Sequence, residues 1–430
     1  MLCFFLLEGG SILKTYKRMF WVCAESLIIT LTDITDLTCA EFISDNAVIA
    51  LATTFPLLGI LYPFILSISR ASRIKIGHCV GNNDTYNEDS YFTSNIILGL
   101  LVSVLSIILF IFFGKFYFRL FAITEEQSNI AFEYLFIRLF GVLIFSISAA
   151  IINKSYAHLQ NKKITILRTI NLANIPLSII FTYLFGVNGI ALATVLTEVI
   201  ELFILLLVFK PKFRKASIKY MLEILKLSKV YVVASVLYNS IDSLILVFLI
   251  KYLPNSDIVL IELSLKVYNI FGEMIGATEG VLDSELSQYV GNQDKSLEIK
   301  NWKTFRNCFY SFWLIHIPIS IGFGLIYFNY ISPVENIDKA MLVLLTYMAS
   351  NVIWYIGLPY WGLLSAHEDR NIVVIVETIC GLPLRLLFVY IALQLGFGIF
   401  SYGVSWLASC TCVPLTSYFR VKSKRYLAKE

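Results

Sequence analysis

Two acids stand three residues apart in the apolar stretch "LIITLTDITDLTCA", at Asp33 and Asp36. At about 100° per residue they lie about 60° apart on one face of a helix, with Thr32 beside Asp36. A carboxylate near a bilayer centre costs roughly 2.5–3.5 kcal/mol on insertion scales, so acids there are expected to serve a function or to find a partner. A pair of this kind can take up and release a proton or hold a small cation. The bland alternative is an acid near a helix end, wetted by a vestibule. A third acid, Asp242, is the only charge between Lys229 and Lys251. Lys266, in the next apolar segment, is available as its partner, so Asp242 is either a coupling group or half of a structural ion pair. Arg138, Glu198, Glu201, Glu377 and Arg385 are further charges in apolar surroundings, expected mostly to pair between helices.

Other chemistries lack their residues. The eight Cys include no C-x-x-C and read as small apolar fillers, with Cys410 and Cys412 pointing to different helix faces. Of the four His, only His316 falls in an apolar segment, where hydrogen-bonded packing is the expectation. There is no phosphate-binding glycine loop, no paired-His metalloprotease pattern and no nucleophile elbow. The chain is therefore read as no enzyme and as needing no cofactor.

The elements that must position the acids follow from composition. The chain of 430 residues is 58% hydrophobic and 15% charged, against about 45–50% and about 25% for soluble domains. Residues 47–69, 92–114, 307–334 and 340–366 contain no Asp, Glu, Lys or Arg. About 20 helical residues cross the ~30 Å hydrocarbon core, and a helix satisfies its backbone hydrogen bonds internally. Twelve spans are predicted, centred near residues 30, 58, 103, 143, 174, 200, 240, 270, 318, 353, 380 and 408. The long segments 169–197 and 386–419 are divided at the glycine turns "FGVNG" and "GFG". With both termini on one side, that side carries 27 Lys and Arg and the other four. The bias places both termini in the cytoplasm, in a multi-pass protein of the cell membrane. The net charge of +4 reflects this topology and offers no nucleic-acid patch. The opening "MLCFFLLEGG" has no basic start and too short an apolar run for a cleaved signal peptide.

The chain also repeats itself. "VGNND" at 80–84 returns as "VGNQD" at 290–294, Ala157-His158 as Ala366-His367, Pro176 as Pro383, and Gly189-Ile190 as Gly398-Ile399. A period near 209 implies two six-helix repeats of parallel topology, an architecture in which one bundle rocks against the other during transport. The predicted organisation is a six-helix lobe at 1–209, a basic cytoplasmic linker at 210–229 and a second six-helix lobe at 230–430.

Five passages carry a resemblance. "TDLTCAEFISDNAVIALA", "SQYVGNQD", "AHLQNKK", "AHEDRN" and above all "NIPLSIIFTYLFGVNGIALATV" resemble phrases of the multidrug and toxic compound extrusion (MATE) family, in the wider flippase (MOP) superfamily. The resemblance spans the chain and marks a divergent member: His78 stands where the family writes Gln, Glu41 where Gly is usual, and the first helix lacks proline. It implies an all-α polytopic membrane protein with twelve transmembrane helices in two pseudo-symmetric six-helix bundles. It implies that Asp36 is the cation-coupling acid, working with Asn174 of the fifth helix. An acid often follows that Asn by one turn, and here Ser178 stands there. Asn174, Ser178 and Thr194 still offer oxygens to a small hard cation beside Asp36, making these four the candidate Na+ ligands. Proton and sodium remain open as the coupling ion.

Asp242 matches a helix-seven acid of the family, and Trp354 replaces an Asp of sodium-type relatives. Tyr238, Tyr268, Trp354 and Tyr355 either line a cavity for cationic substrates or pack. The implied function is export of small amphipathic or cationic compounds by antiport with H+ or Na+, through alternating access between the lobes of a monomer in the lipid bilayer. The alternative is a flippase of a lipid-linked oligosaccharide or another lipid-linked substrate. Its cavity would need basic residues, for which Arg138, Lys266 and Arg385 are the candidates.

Overall fold

The computed structural model describes residues 9–119, 124–249, 251–331 and 334–427. All regular structure among them is helical and forms twelve rods. These are α1 (Gly9–Glu41), α2 (Asp45–Gly81), α3 (Thr85–Arg119), α4 (Glu125–Ala157), α5 (Asn161–Phe185) and α6 (Val187–Phe209). They continue as α7 (Ile218–Leu249), α8 (255–291), α9 (Lys295–Ile331), α10 (Ile337–Ala366), α11 (371–394) and α12 (Gly398–Ser423). Each predicted centre falls in its own rod. Among the described residues eight helices are long and apolar enough to cross a membrane by length and composition. Three of the others carry internal charges: Glu25 and Asp36 in α1, Glu262 and Lys266 in α8, and Glu377 and Arg385 in α11. The outer face of α3 exposes Leu101, Leu105, Ile108, Phe112 and Phe116, an apolar surface suited to lipid.

Local sequence sets the boundaries. Ser44 caps α2 by accepting from the Ala47 amide, and Thr124 with Gln127 forms a reciprocal capping box on α4. Both predicted glycine turns are present. Gly186 (φ +60°) turns α5 into α6, and Gly396 (φ +79°) and Gly398 (φ +51°) turn α11 into α12, conformations that glycine adopts without a Cβ penalty. The first hairpin is tight enough that a Cβ on Gly189 would meet the Phe181 carbonyl oxygen at 2.0 Å.

The repeated words have a structural meaning. "VGNND" ends α2 and starts α3 through one left-handed residue, Asn83 (φ +58°), and "VGNQD" joins α8 to α9 through Gln293 (φ +60°). The two Ala-His words end α4 and α10 in the same way, at Leu159 (φ +60°) and Glu368 (φ +57°). The words then meet in space. His158 Nε2 lies 2.8 Å from Glu88 Oε1 at the start of α3, and His367 Nε2 lies 2.8 Å from Glu298 Oε1 at the start of α9.

The chain divides into two compact units, residues 24–232 and residues 233–430 together with 1–23. In the first, α4 packs against α2, α3 and α6 around Leu135, Leu139, Ile65 and Phe118. The basic stretch before α7 lies on α3, where the Arg214 and Ser217 amides donate to Thr93 Oγ1 (3.1 Å) and Ser94 Oγ (3.2 Å). In the second, α12 packs against α10 and α11, with Tyr347 and Tyr402 in the core. Helix α1 contributes to both: Arg18 pairs with Glu285 of the second unit, and Glu25 with Arg168 of the first.

Beyond α10, Arg420 grips Asp369 with two hydrogen bonds of 2.8 and 2.7 Å, and Tyr426 donates a third at 3.0 Å. Burial pushes the Asp369 carboxyl up, but these donors outweigh it and hold the group below the usual aspartate value. A depressed folded-state value stabilises the fold above the ordinary aspartate range, and that contribution is lost as pH falls through the lowered value. The melting-temperature gap between wild type and Asp369→Asn in detergent should therefore be open at neutral pH and close on acidification. At the α5–α6 hairpin, Gly189→Ala should lower stability by about 1–3 kcal/mol through overpacking. Gly322→Ala, with open space around it, should leave the same melting curve unchanged.

Candidate functional site

Asp36 is buried in the first unit, and three helices converge on its carboxylate. The Asn174 amide donates to Oδ1 at 3.3 Å, the Ser178 hydroxyl lies 3.4 Å from the same oxygen, and the Thr194 hydroxyl donates to Oδ2 at 3.2 Å. Ser178 Oγ also lies 3.3 Å from Asn174 Oδ1, which ties the two α5 residues together. The arrangement comes from local geometry. A tighter helical turn over Thr169–Ala173 gives way to regular helix at Asn174, and Ser178, one turn on, shares its face. The Gly186 hairpin then folds α6 back so that Thr194 reaches the acid from the other side.

All donors to Asp36 are neutral, so the group carries one formal negative charge. Its oxygens, with Asn174 Oδ1, Ser178 Oγ and Thr194 Oγ1, form a hard donor set suited to a proton or a small monovalent cation. Among the described residues no three His, Cys, Asp or Glu side chains gather as metal ligands.

The structure thus brings four of the seven singled-out residues together. The side chains of Asp33 and Asp242 lie outside the described residues, although both positions fall within helices, α1 and α7. Lys266 is exposed on α8. The Tyr238 side chain is also outside the described residues. Tyr268 and Tyr355 are buried with their hydroxyls 3.0 Å apart, and Trp354 packs edge-on against Trp361, a packing arrangement. His316 is buried and bonded to Ser320 at 2.9 Å, as packing predicts.

A second polar cluster extends from the site along α6. Tyr62 donates to Glu198 at 3.0 Å, and the Arg138 guanidinium stands 5.7 Å from the Tyr62 ring centre. One turn further, Arg168 bridges Glu201 at 2.8 Å and Glu25 at 2.6 Å, and Tyr156 donates to Glu25. Of these residues, Glu25, Tyr62, Tyr156 and Arg168 are not singled out by the sequence alone. One signal was available: Glu25 and Asp36 are eleven residues apart, about three helical turns, which puts them on one face of α1.

With this geometry in view, comparison with known proteins is informative. Residues 22–184, which contain Asp36, Asn174 and Ser178, match the MatE family model. A crystal structure of a MATE protein in the straight conformation superposes with a TM-score of 0.85 at 16% identity, covering 99% of each chain. The chain has the MATE fold. An outward-facing multidrug resistance MATE transporter of the MOP superfamily superposes with a TM-score of 0.83 at 14% identity, over 97% of this chain and 96% of that one. A MOP-superfamily transporter from Pyrococcus furiosus, for which reversed pocket polarity suggests a different function, gives 0.84 at 15% identity over 98% and 96%. A comparison with curated protein sequences gives no match. The resemblance read from the motifs therefore holds, and with it the twelve-helix MATE architecture.

Removing Arg168 would leave two buried carboxylates without a counter-ion, a loss of about 3–5 kcal/mol for pairs of this kind. Arg168→Met should therefore lower the melting temperature in detergent sharply. The triple change with Glu25→Gln and Glu201→Gln should recover most of the loss.

Proposed function

We propose that this protein is a secondary transporter that exports small amphipathic or cationic compounds from the cytoplasm by antiport with H+ or Na+, with Asp36 as the coupling acid. The observation that carries the reading is the buried Asp36 carboxylate, ringed by neutral donors from α5 and α6. An acid so placed can take a cation on one side of the membrane and release it on the other. Neutral hydrogen-bond donors stabilise the carboxylate and leave its oxygens open to a proton or a cation. The MatE match over the same segment supports this placement. The Lys and Arg bias supports cytoplasmic termini in the cell membrane, and the exporter works as a monomer through alternating access of its two lobes.

Energy supply is adequate without ATP. One proton crossing about 100 mV releases about 2.3 kcal/mol, enough to hold a gradient of nearly fifty-fold at about 1.4 kcal/mol per factor of ten. A lipid-linked pyrophosphate substrate is disfavoured by what the basic residues do. Arg138 and Arg385 are both buried against aromatic rings of their own lobes, Arg138 beside Tyr62 and Arg385 4.2 Å over Trp406.

The test is movement of a cationic dye in proteoliposomes under an imposed pH gradient and then a sodium gradient. Wild type should follow one gradient and thereby name its ion, and Asp36→Asn should abolish the driven component while the protein stays folded. Driven movement that survives Asp36→Asn would overturn the assignment.

A further inference from the structure

Glu198, Tyr62 and Arg138 form a second charged site one helical turn from the first, and its pairing is incomplete. Arg138 on α4 is 9% exposed, yet its Nε and Nη1 have no hydrogen-bond partner. Glu198 Oε1 accepts from Tyr62 at 3.0 Å, while Oε2 is buried and unpartnered. Room for that carboxyl is provided by Gly141, three residues after Arg138, where a Cβ would stand 2.2 Å from Oε2. Thr194, which donates to Asp36, lies four residues before Glu198 on the same face of α6. Arg138 acts electrostatically on both Asp36 and Glu198. The other ionisable groups facing Glu198 are Tyr62 from α2, Asp36 from α1 and Glu201 on α6 itself, with Tyr134 on α4 beside Arg138.

Two carboxylates share one guanidinium, so the set carries a formal charge of one negative unit when empty and is neutral when it holds one monovalent cation. A buried ion pair kept only for stability should close its hydrogen bonds, because an unmet charged group in a low dielectric is costly. Here the guanidinium stands over a tyrosine ring without a hydrogen bond to either acid.

We propose that Glu198 is a second, proton-carrying carboxyl of the transport machinery, with Arg138 as a shared counter-ion for whichever of Asp36 and Glu198 is unoccupied. A proton from water adds to Glu198 Oε2, giving the neutral acid, and the Arg138 charge then serves Asp36 alone. When Asp36 takes its cation, Arg138 is released to the Glu198 carboxylate, whose proton leaves to water. Arg138 stays charged throughout. This rests on Asp36 being the coupling acid.

Infrared difference spectra of the full chain in proteoliposomes, recorded across a pH jump, read protonated carboxyls directly. Glu198→Gln should delete one carboxyl band, and pH-driven dye movement should fall several-fold. Tyr62→Phe, which removes only the hydrogen bond, should shift the midpoint of that band and keeps the test open should Glu198→Gln misfold. Arg138→Lys should retain more driven movement than Arg138→Met. Carboxyl spectra identical in wild type, Glu198→Gln and Tyr62→Phe, with driven movement still lost in Asp36→Asn, would overturn this proposal and leave the exporter reading standing. Loss of the Glu198 band with dye movement indifferent to Asp36→Asn would do the reverse, supporting Glu198 as a proton carrier and removing Asp36 as the coupling acid.

Discussion

Charge placed inside a bilayer must be matched within the protein, because hydrocarbon offers neither water nor counter-ions. Much of the first lobe is arranged around that constraint. Arg168 bridges Glu25 and Glu201, and in doing so ties α1, α5 and α6 to one another. The same three helices bring Asp36, Asn174, Ser178 and Thr194 into one pocket three turns away along α1. The bridged cluster anchors the helices, and in the function proposed for Asp36 the acid would exchange its ion without the helices coming apart.

The second lobe meets the constraint with different chemistry. Arg370 lies 3.7 Å over the Trp361 ring and 3.6 Å from Glu279, and Arg385 lies 4.2 Å over Trp406. Aromatic faces attract guanidinium groups through the ring quadrupole and hold no proton of their own in this range. Among the described residues, repetition of the backbone therefore does not extend to these buried charges. What does repeat is the pair of corners, where His158 with Glu88 and His367 with Glu298 lock the ends of consecutive helices at matching left-handed turns.

Among the features legible in the sequence, the clearest were those set by local rules. Hydrophobic length located the twelve rods, because a span needs a fixed run of apolar residues. Glycine marked the hairpins at Gly186 and Gly396, because positive φ excludes most side chains. The 209-residue echo marked the repeat, because equivalent turns need equivalent residues. Asp36 stood out as an acid in an apolar helix.

Tertiary structure alone decided what those charges meet. Glu198 and Arg138 are sixty residues apart, and Tyr62 is further still, so no spacing rule links them. Their encounter depends on how α2, α4 and α6 pack, a matter of side-chain volume summed over many contacts. The same holds for Arg168, which reads as one more basic residue beside a loop until α5 turns it inward onto Glu25 and Glu201. A sequence can say that a buried charge needs a partner. Which partner it gets is settled by the packing of helices that lie far apart along the chain.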